Sequence, residues 1–141
     1  MPSLQPINIT ASTTLNDSHT ETICTVNAAA GLTLTLPASY GSGKTFNIMI
    51  GTTVTSNNVI IQVANASDTM AGVAVLAQDA GDTVASFETT ATSDTITMNG
   101  STKGGIKGDL ITLKDVQANV WLVQMNGSGT GTEVTPFSAA V

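Results

Sequence analysis

The sequence predicts an all-β protein: a single antiparallel β-sandwich, jelly-roll-like, with an extended N-terminal arm. Three observations lead there. Apolar residues alternate with polar ones over short runs, the period of a half-buried strand. These runs recur about every 8–12 residues, with Gly, Asn, Asp, Ser and Pro between them. No long stretch carries apolar residues at helical spacing, and the helix formers Glu, Lys, Gln and Leu are sparse.

Taken in order, the strands justify themselves. In "LTLTLPAS", Leu32, Leu34 and Leu36 share one face, Thr33 and Thr35 the other, and Pro37 stops the ladder. "TFNIMIG" puts Phe46, Ile48 and Ile50 on one face. The intervening "YGSGK" reads as a hairpin connection, with Gly41 and Gly43 supplying positive φ. "NNVIIQVAN" aligns Val59, Ile61 and Val63 after the turn residues "TSNN". "TMAGVAVLA" is a weaker strand interrupted by Gly72. "DTVASFET" and "SDTITMNG" read as a hairpin around Thr90 to Ser93. "GDLITLKDV" and "ANVWLVQMN" read as another, turning near Gln117, Ala118 and Asn119. Half-buried alternation argues for antiparallel neighbours with one wet face.

The chain divides into residues 1–12, an extended arm, residues 13–126, the sandwich, and residues 127–141, a Gly-Ser-Thr linker with an apolar tail. Apolar residues after a flexible linker need a surface, on the domain itself or on a neighbouring subunit. Trp121, Val123 and Met125 fall on one face of their strand, Val120 and Leu122 on the other. A strand apolar on both faces is central in the sandwich or covered by another chain.

Composition bounds function. The 141 residues suffice for one domain with a core. Only 10% are charged, far below the usual quarter of a soluble domain. There is no Arg, and Lys44, Lys103, Lys107 and Lys114 face ten acids, for a net charge of -6. That balance argues against nucleic acid, which is held by clustered Lys and Arg, and against anionic membrane surfaces. Lys103 and Lys107, the one close pair, fit a solvated loop. The N-terminus has neither a basic nor an apolar signal region, so the expectation is synthesis in a cytoplasm without signal-directed export. Sequons at Asn8, Asn65, Asn99 and Asn126 are what a Thr-, Ser- and Asn-rich chain produces by chance.

Little chemistry is on offer. Gly43-Lys44-Thr45 resembles the end of a phosphate-binding loop, but the position five before Gly43 is Ala38, and a strand rather than a helix follows. His19 is the one histidine, in the polar loop "LNDSHTET", and Cys24, the one cysteine, reads as a buried strand thiol. One of each cannot make a zinc site. Asp79 and Asp82 in "QDAGD" are oxygen donors that calcium could use, or simply an acidic turn. No cofactor and no enzymatic activity are expected.

The ordered set Thr35-Leu36-Pro37, Phe46 after a Gly-bearing loop, Val59-Ile60-Ile61 after an Asn-rich turn, Gly108-Asp109 and Asn119-Val120-Trp121 resembles the tailed-phage capsid decoration proteins, also called cement or head-stabilising proteins, and related head-fibre domains. The likeness spans about residues 9–126, and "LKDVQANVW" departs from it in lacking a Gly-containing turn. The resemblance implies a virion structural protein on the capsid exterior, with the major capsid protein and its own copies, as a homotrimer, for partners. On that reading the extended ends carry the contacts: Leu4, Pro6, Ile7 and Ile9, then Val134, Pro136 and Phe137, with Trp121 as an intersubunit candidate. A fibre-type receptor- or glycan-binding module is the alternative, against which the scarcity of aromatics counts.

Overall fold

The computed structural model describes residues 4–141. The strands are β1 (Ile7–Ile9), β2 (Thr13–Thr14), β3 (Cys24–Val26), β4 (Leu32–Thr35), β5 (Thr45–Ile50), β6 (Val59–Gln62), β7 (Thr69–Gln78), β8 (Val84–Glu88), β9 (Thr95–Met98), β10 (Leu110–Gln117), β11 (Val120–Gly129) and β12 (Phe137–Ser138). A single turn of 3-10 helix, Asp17–Thr20, is capped by Asn16. The protein is all-β. Seven strands form one sheet in the order β1-β3-β5-β10-β11-β7-β8, and five form a second in the order β12-β9-β6-β4-β2.

The alternating strands bury the residues the sequence pattern selects. Leu32, Leu34 and Leu36, then Phe46, Ile48 and Ile50, then Val59, Ile61 and Val63 all lie in one core shared by both sheets. Ile111 and Leu113 from β10 and Trp121, Val123 and Met125 from β11 complete it. Each fully buried aliphatic side chain of this kind contributes about 1.5–3 kcal/mol. The Phe46 and Trp121 rings meet at 5.8 Å with a 48° tilt, an edge-biased aromatic contact at the centre of the larger sheet.

Strand direction differs from the expectation. Five pairings are parallel: β1 with β3, β3 with β5, β2 with β4, β4 with β6, and β7 with β11. Five are antiparallel, so both sheets are mixed rather than antiparallel. Four of the five parallel pairs, all but β7 with β11, come from the winding of the first half. From β1 to β6 the chain changes sheet at every strand, odd strands in the larger sheet and even ones in the smaller. Each strand therefore returns beside the one two earlier, running the same way. Alternation reports which face is wet and carries no information on direction.

Sheet crossings also correct two hairpins. Ser39 to Lys44 joins β4 to β5 across the two sheets, and Thr90 to Ser93 joins β8 to β9 across them. The third hairpin is present: β10 and β11 pair antiparallel, with Asn119 left-handed at φ 62° in the turn. Asn57 in "TSNN" is also left-handed, at φ 53°. Gly72 sits inside β7 because a β-carbon there would overlap the carbonyl oxygen of Val123 on β11.

Candidate functional site: carboxylate cradles and exposed edges

The loop Ser39–Lys44 binds an anion, and the anion is the chain's own Asp115. Gly41 at φ 85° and Gly43 at φ 76° turn successive N–H groups inward, making a concave nest. Asp115 Oδ1 accepts from the N–H of Gly41 at 2.8 Å and of Tyr40 at 3.1 Å, and from the Ser39 hydroxyl at 2.8 Å. Its Oδ2 accepts from the N–H and hydroxyl of Ser42 at 3.0 and 2.7 Å. Asp115 is 1% exposed. Burial pushes its carboxyl upward, but the Ser42 hydroxyl and the N–H groups of Ser42 and Gly41 outweigh burial and hold it well below the usual carboxylate range. Donors that a phosphate would need are engaged by this carboxylate, and β5 rather than a helix follows the loop. Lys44 points elsewhere, to Asp17 at 2.6 Å, and that ion pair raises its pKa.

The pattern repeats. Asp109 Oδ2 accepts from the N–H of Gly105 at 2.8 Å and of Ile106 at 3.1 Å, and Oδ1 from Ser128 N–H at 3.0 Å. Here burial prevails over the hydrogen bonds and pushes the carboxyl up. Asp94 Oδ1 accepts from the Thr95 hydroxyl at 2.7 Å and Ala140 N–H at 2.8 Å, tying down the C-terminal segment. Asp68 Oδ2 accepts from Ser39 N–H at 2.9 Å. Glu133 Oε2 accepts from the Gln78 amide at 2.8 Å, while its Oε1 has no partner. Five of the ten acids are thus buried, and none is paired with a cation: Lys44 with Asp17, at the surface, is the one ion pair among the described residues. These carboxylates close loops. The sequence carried a signal for one of them: Ile111, Leu113 and Asp115 share the inward face of β10, which aims an acid at the core.

The remaining sequence-selected residues are scattered. His19 Nδ1 accepts from Asn16 N–H at 3.0 Å, closing a capping box on the 3-10 turn. Cys24 is fully buried, and burial pushes its thiol up. Asp79 and Asp82 are exposed in the turn between β7 and β8, and no cluster of three His, Cys, Asp or Glu is found among the described residues. Leu4 and Pro6 are exposed, Ile7 packs against the core, and Ile9 is buried in β1. Trp121 is 1% exposed in the protein's own core, so the second covering of its strand falls to Leu122, 41% exposed on the outer face. In the tail, Pro136 and Phe137 are buried against the domain itself, whereas Val134 and Val141 are exposed.

Two surface features remain. A groove of about 430 Å³ lies between β8 and the β12 segment, lined by Phe87, Phe137, Glu88, Thr90, Thr92 and Thr135 among others. The outer face of the larger sheet carries Val73, Val84, Leu110, Val116 and Leu122, each more than a third exposed, among Asn47, Thr112 and Gln124. No helix among the described residues is long and apolar enough to cross a membrane. No family model, no curated protein and no solved structure matches this chain.

Proposed function

We propose that the protein is a viral structural protein: a jelly-roll-like two-sheet module that decorates the exterior of a tailed-phage capsid and cements its subunits, without enzymatic chemistry. The observation that carries this reading is the outer face of the seven-stranded sheet. It is broad, carries few charges (Lys114 and Glu88 among them), and mixes exposed aliphatic residues with Thr, Asn and Gln, compatible with a docking face. Two further features support it. The buried carboxylates lock the loops, which lowers the ordering cost of binding. The ordered motifs resemble decoration proteins along most of the chain. A ligand that binds only the assembled shell stabilises the shell, and repetition over many equivalent sites multiplies a modest contact.

The test is to mix the full chain with undecorated capsids, then measure co-sedimentation and the temperature at which the heads release DNA. Saturable binding with a raised release temperature is expected. Absence of binding overturns the reading. Deleting residues 1–6 tests the arm without removing β1, which starts at Ile7 and contributes Ile9 to the core.

A second reading, a glycan- or receptor-binding fibre module, is favoured by one feature only: the groove with Phe87 and Phe137 beside several Thr hydroxyls. Binding on a glycan array, lost on Phe87→Ala, would select it.

A further inference from the structure

We infer that β8 is a self-docking edge: two copies of this chain join their β8 strands antiparallel about a two-fold axis at Ser86, extending the larger sheet from one copy into the next. The inference stands independently of the capsid reading. β8 ends the seven-stranded sheet and pairs with β7 on one side only. Its hydrogen-bond phase is fixed by the flanking bonds, Gln78 N–H to Thr83 O at 3.0 Å and Thr89 N–H to Gly72 O at 3.0 Å. In an antiparallel ladder only alternate residues face a given neighbour. Thr83, Ala85, Phe87 and Thr89 therefore face β7. Val84, Ser86 and Glu88 turn three N–H and three C=O groups outward.

The other edges lack this. β1 has three residues, and its bonds to β3 (Ile7 N–H to Ile23 O, Asn27 N–H to Ile9 O, both 2.9 Å) leave only Asn8 facing outward. Pro6, just before it, has no N–H to give. β2 and β12 have two residues each, and Pro136 precedes β12. These are the usual ways of blunting an edge. β8 is longer and less protected: five residues, no Pro, an unbroken register with β7, and Glu88 at its end as its one charge. A groove of about 430 Å³ separates β8 from the β12 segment.

The occupant that fits is a second copy. Pairing about Ser86 sets Ser86 against Ser86 and Val84 against Glu88 of the other copy, with six backbone hydrogen bonds. Charge agrees with this register. The two Glu88 carboxylates stand four residues apart along the ladder, about 14 Å at strand rise, beyond the screening length of roughly 8–10 Å. Centring the pair on Glu88 would instead oppose like charges. Val84, 61% exposed, gains cover. Pairing β8 with β8 is isologous and closes as a two-fold dimer, so it cannot by itself build the trimer implied by the resemblance.

Light scattering after size exclusion, on the full chain over a dilution series, tests it. The expected mass is twice 14.3 kDa, falling twofold on dilution or on Ser86→Pro, with an unchanged circular dichroism spectrum. Pro is tolerated where the N–H faces away from the sheet. Ser86→Glu, which places like charges across the axis, is the second variant should Ser86→Pro unfold the domain. Amide exchange at Val84, Ser86 and Glu88 should slow at high concentration and that at Asn8 should not. A monomer at every concentration, a mass of three times 14.3 kDa, or a dimer that survives Ser86→Glu overturns the inference. A monomer that binds an added extended peptide along β8 would assign the edge to a foreign strand instead.

Discussion

Ser42 and Asp115 stand 73 residues apart in sequence, yet Asp115 Oδ2 accepts both the N–H and the hydroxyl of Ser42, at 3.0 and 2.7 Å. That double contact fastens the β4–β5 connection of one sheet crossing to the end of β10. Asp115→Ala leaves the N–H groups of Tyr40, Gly41 and Ser42 facing a hollow. With about 1–3 kcal/mol for each buried donor left unpaired, part of it recovered by water, a net loss of about 3 kcal/mol or more is expected. Ser42→Ala keeps the backbone donors and should cost about 1 kcal/mol. Urea denaturation followed by Trp fluorescence measures both. Equal losses in the two variants would mean that the nest is not what holds the loop.

The two best-defined cradles respond to pH in opposite senses. Asp115 has a depressed pKa in the folded chain. Its contribution is present above the unfolded value of about 4 and is lost as pH falls below it toward the folded value. Asp109 has a raised pKa. Its contribution is fully present below about 4 and is lost as pH rises through the folded value. Asp115→Asn should therefore flatten the acid side of the stability profile. Asp109→Asn should remove part of the decline between acid and neutral pH. Unfolding midpoints in a pH series at fixed temperature give the answer, and an acid limb unchanged by Asp115→Asn would sink the assignment.

The loop can also be challenged with the ligand its sequence imitates. Calorimetry with Mg-ATP should give no binding heat, since the inward N–H groups already hold Asp115. Asp115→Ala, which vacates the nest, should be the only variant with any affinity for inorganic phosphate. Binding of ATP by the unaltered chain, lost on Lys44→Ala, would revive a phosphate-loop reading.

Gly72 answers a different need. Its position opposite Val123 in the parallel β7–β11 pair leaves no room for a β-carbon. Gly72→Ala should cost about 3 kcal/mol, the upper end of overpacking, and should fall chiefly on the β7–β11 ladder. Amide exchange should speed up across β7 and β8 first. A Tm unchanged by the substitution would contradict so tight an approach.

What the sequence made legible, and what it did not, follows from the range of each signal. Leu32, Leu34 and Leu36, or Phe46, Ile48 and Ile50, announce their buried face through period two alone, and all are in the core. Turn residues such as Asn57 and Asn119 announce a reversal, because their backbone preference is local. Whether a reversal makes a hairpin or crosses to the other sheet depends on partners dozens of residues away. For that reason the "YGSGK" and Thr90–Ser93 connections carry hairpin chemistry locally yet cross between the sheets. The Asp115 nest leaves little trace in the sequence because it joins a loop to an acid 73–75 residues along the chain, whereas Asp109 closes on Gly105 and Ile106 only three or four residues before it. The inward phase of Asp115 on β10 was the local trace of its nest.

Trp121 gives the last prediction. Its ring is 1% exposed and packed on Phe46, and its Nε1–H has no acceptor. A buried unpaired donor costs about 1–3 kcal/mol. Trp121→Phe removes that donor along with some volume, and the two effects oppose each other. Trp121→Ala removes the ring altogether and should cost about 3–5 kcal/mol. The phenylalanine variant should therefore lose less than about half as much as the alanine variant. Calorimetric Tm is the measurement, since both variants lose the only Trp fluorophore. If the two losses were equal, the indole N–H would have to be satisfied, and the packing of Trp121 on Phe46 would need a polar partner at that point.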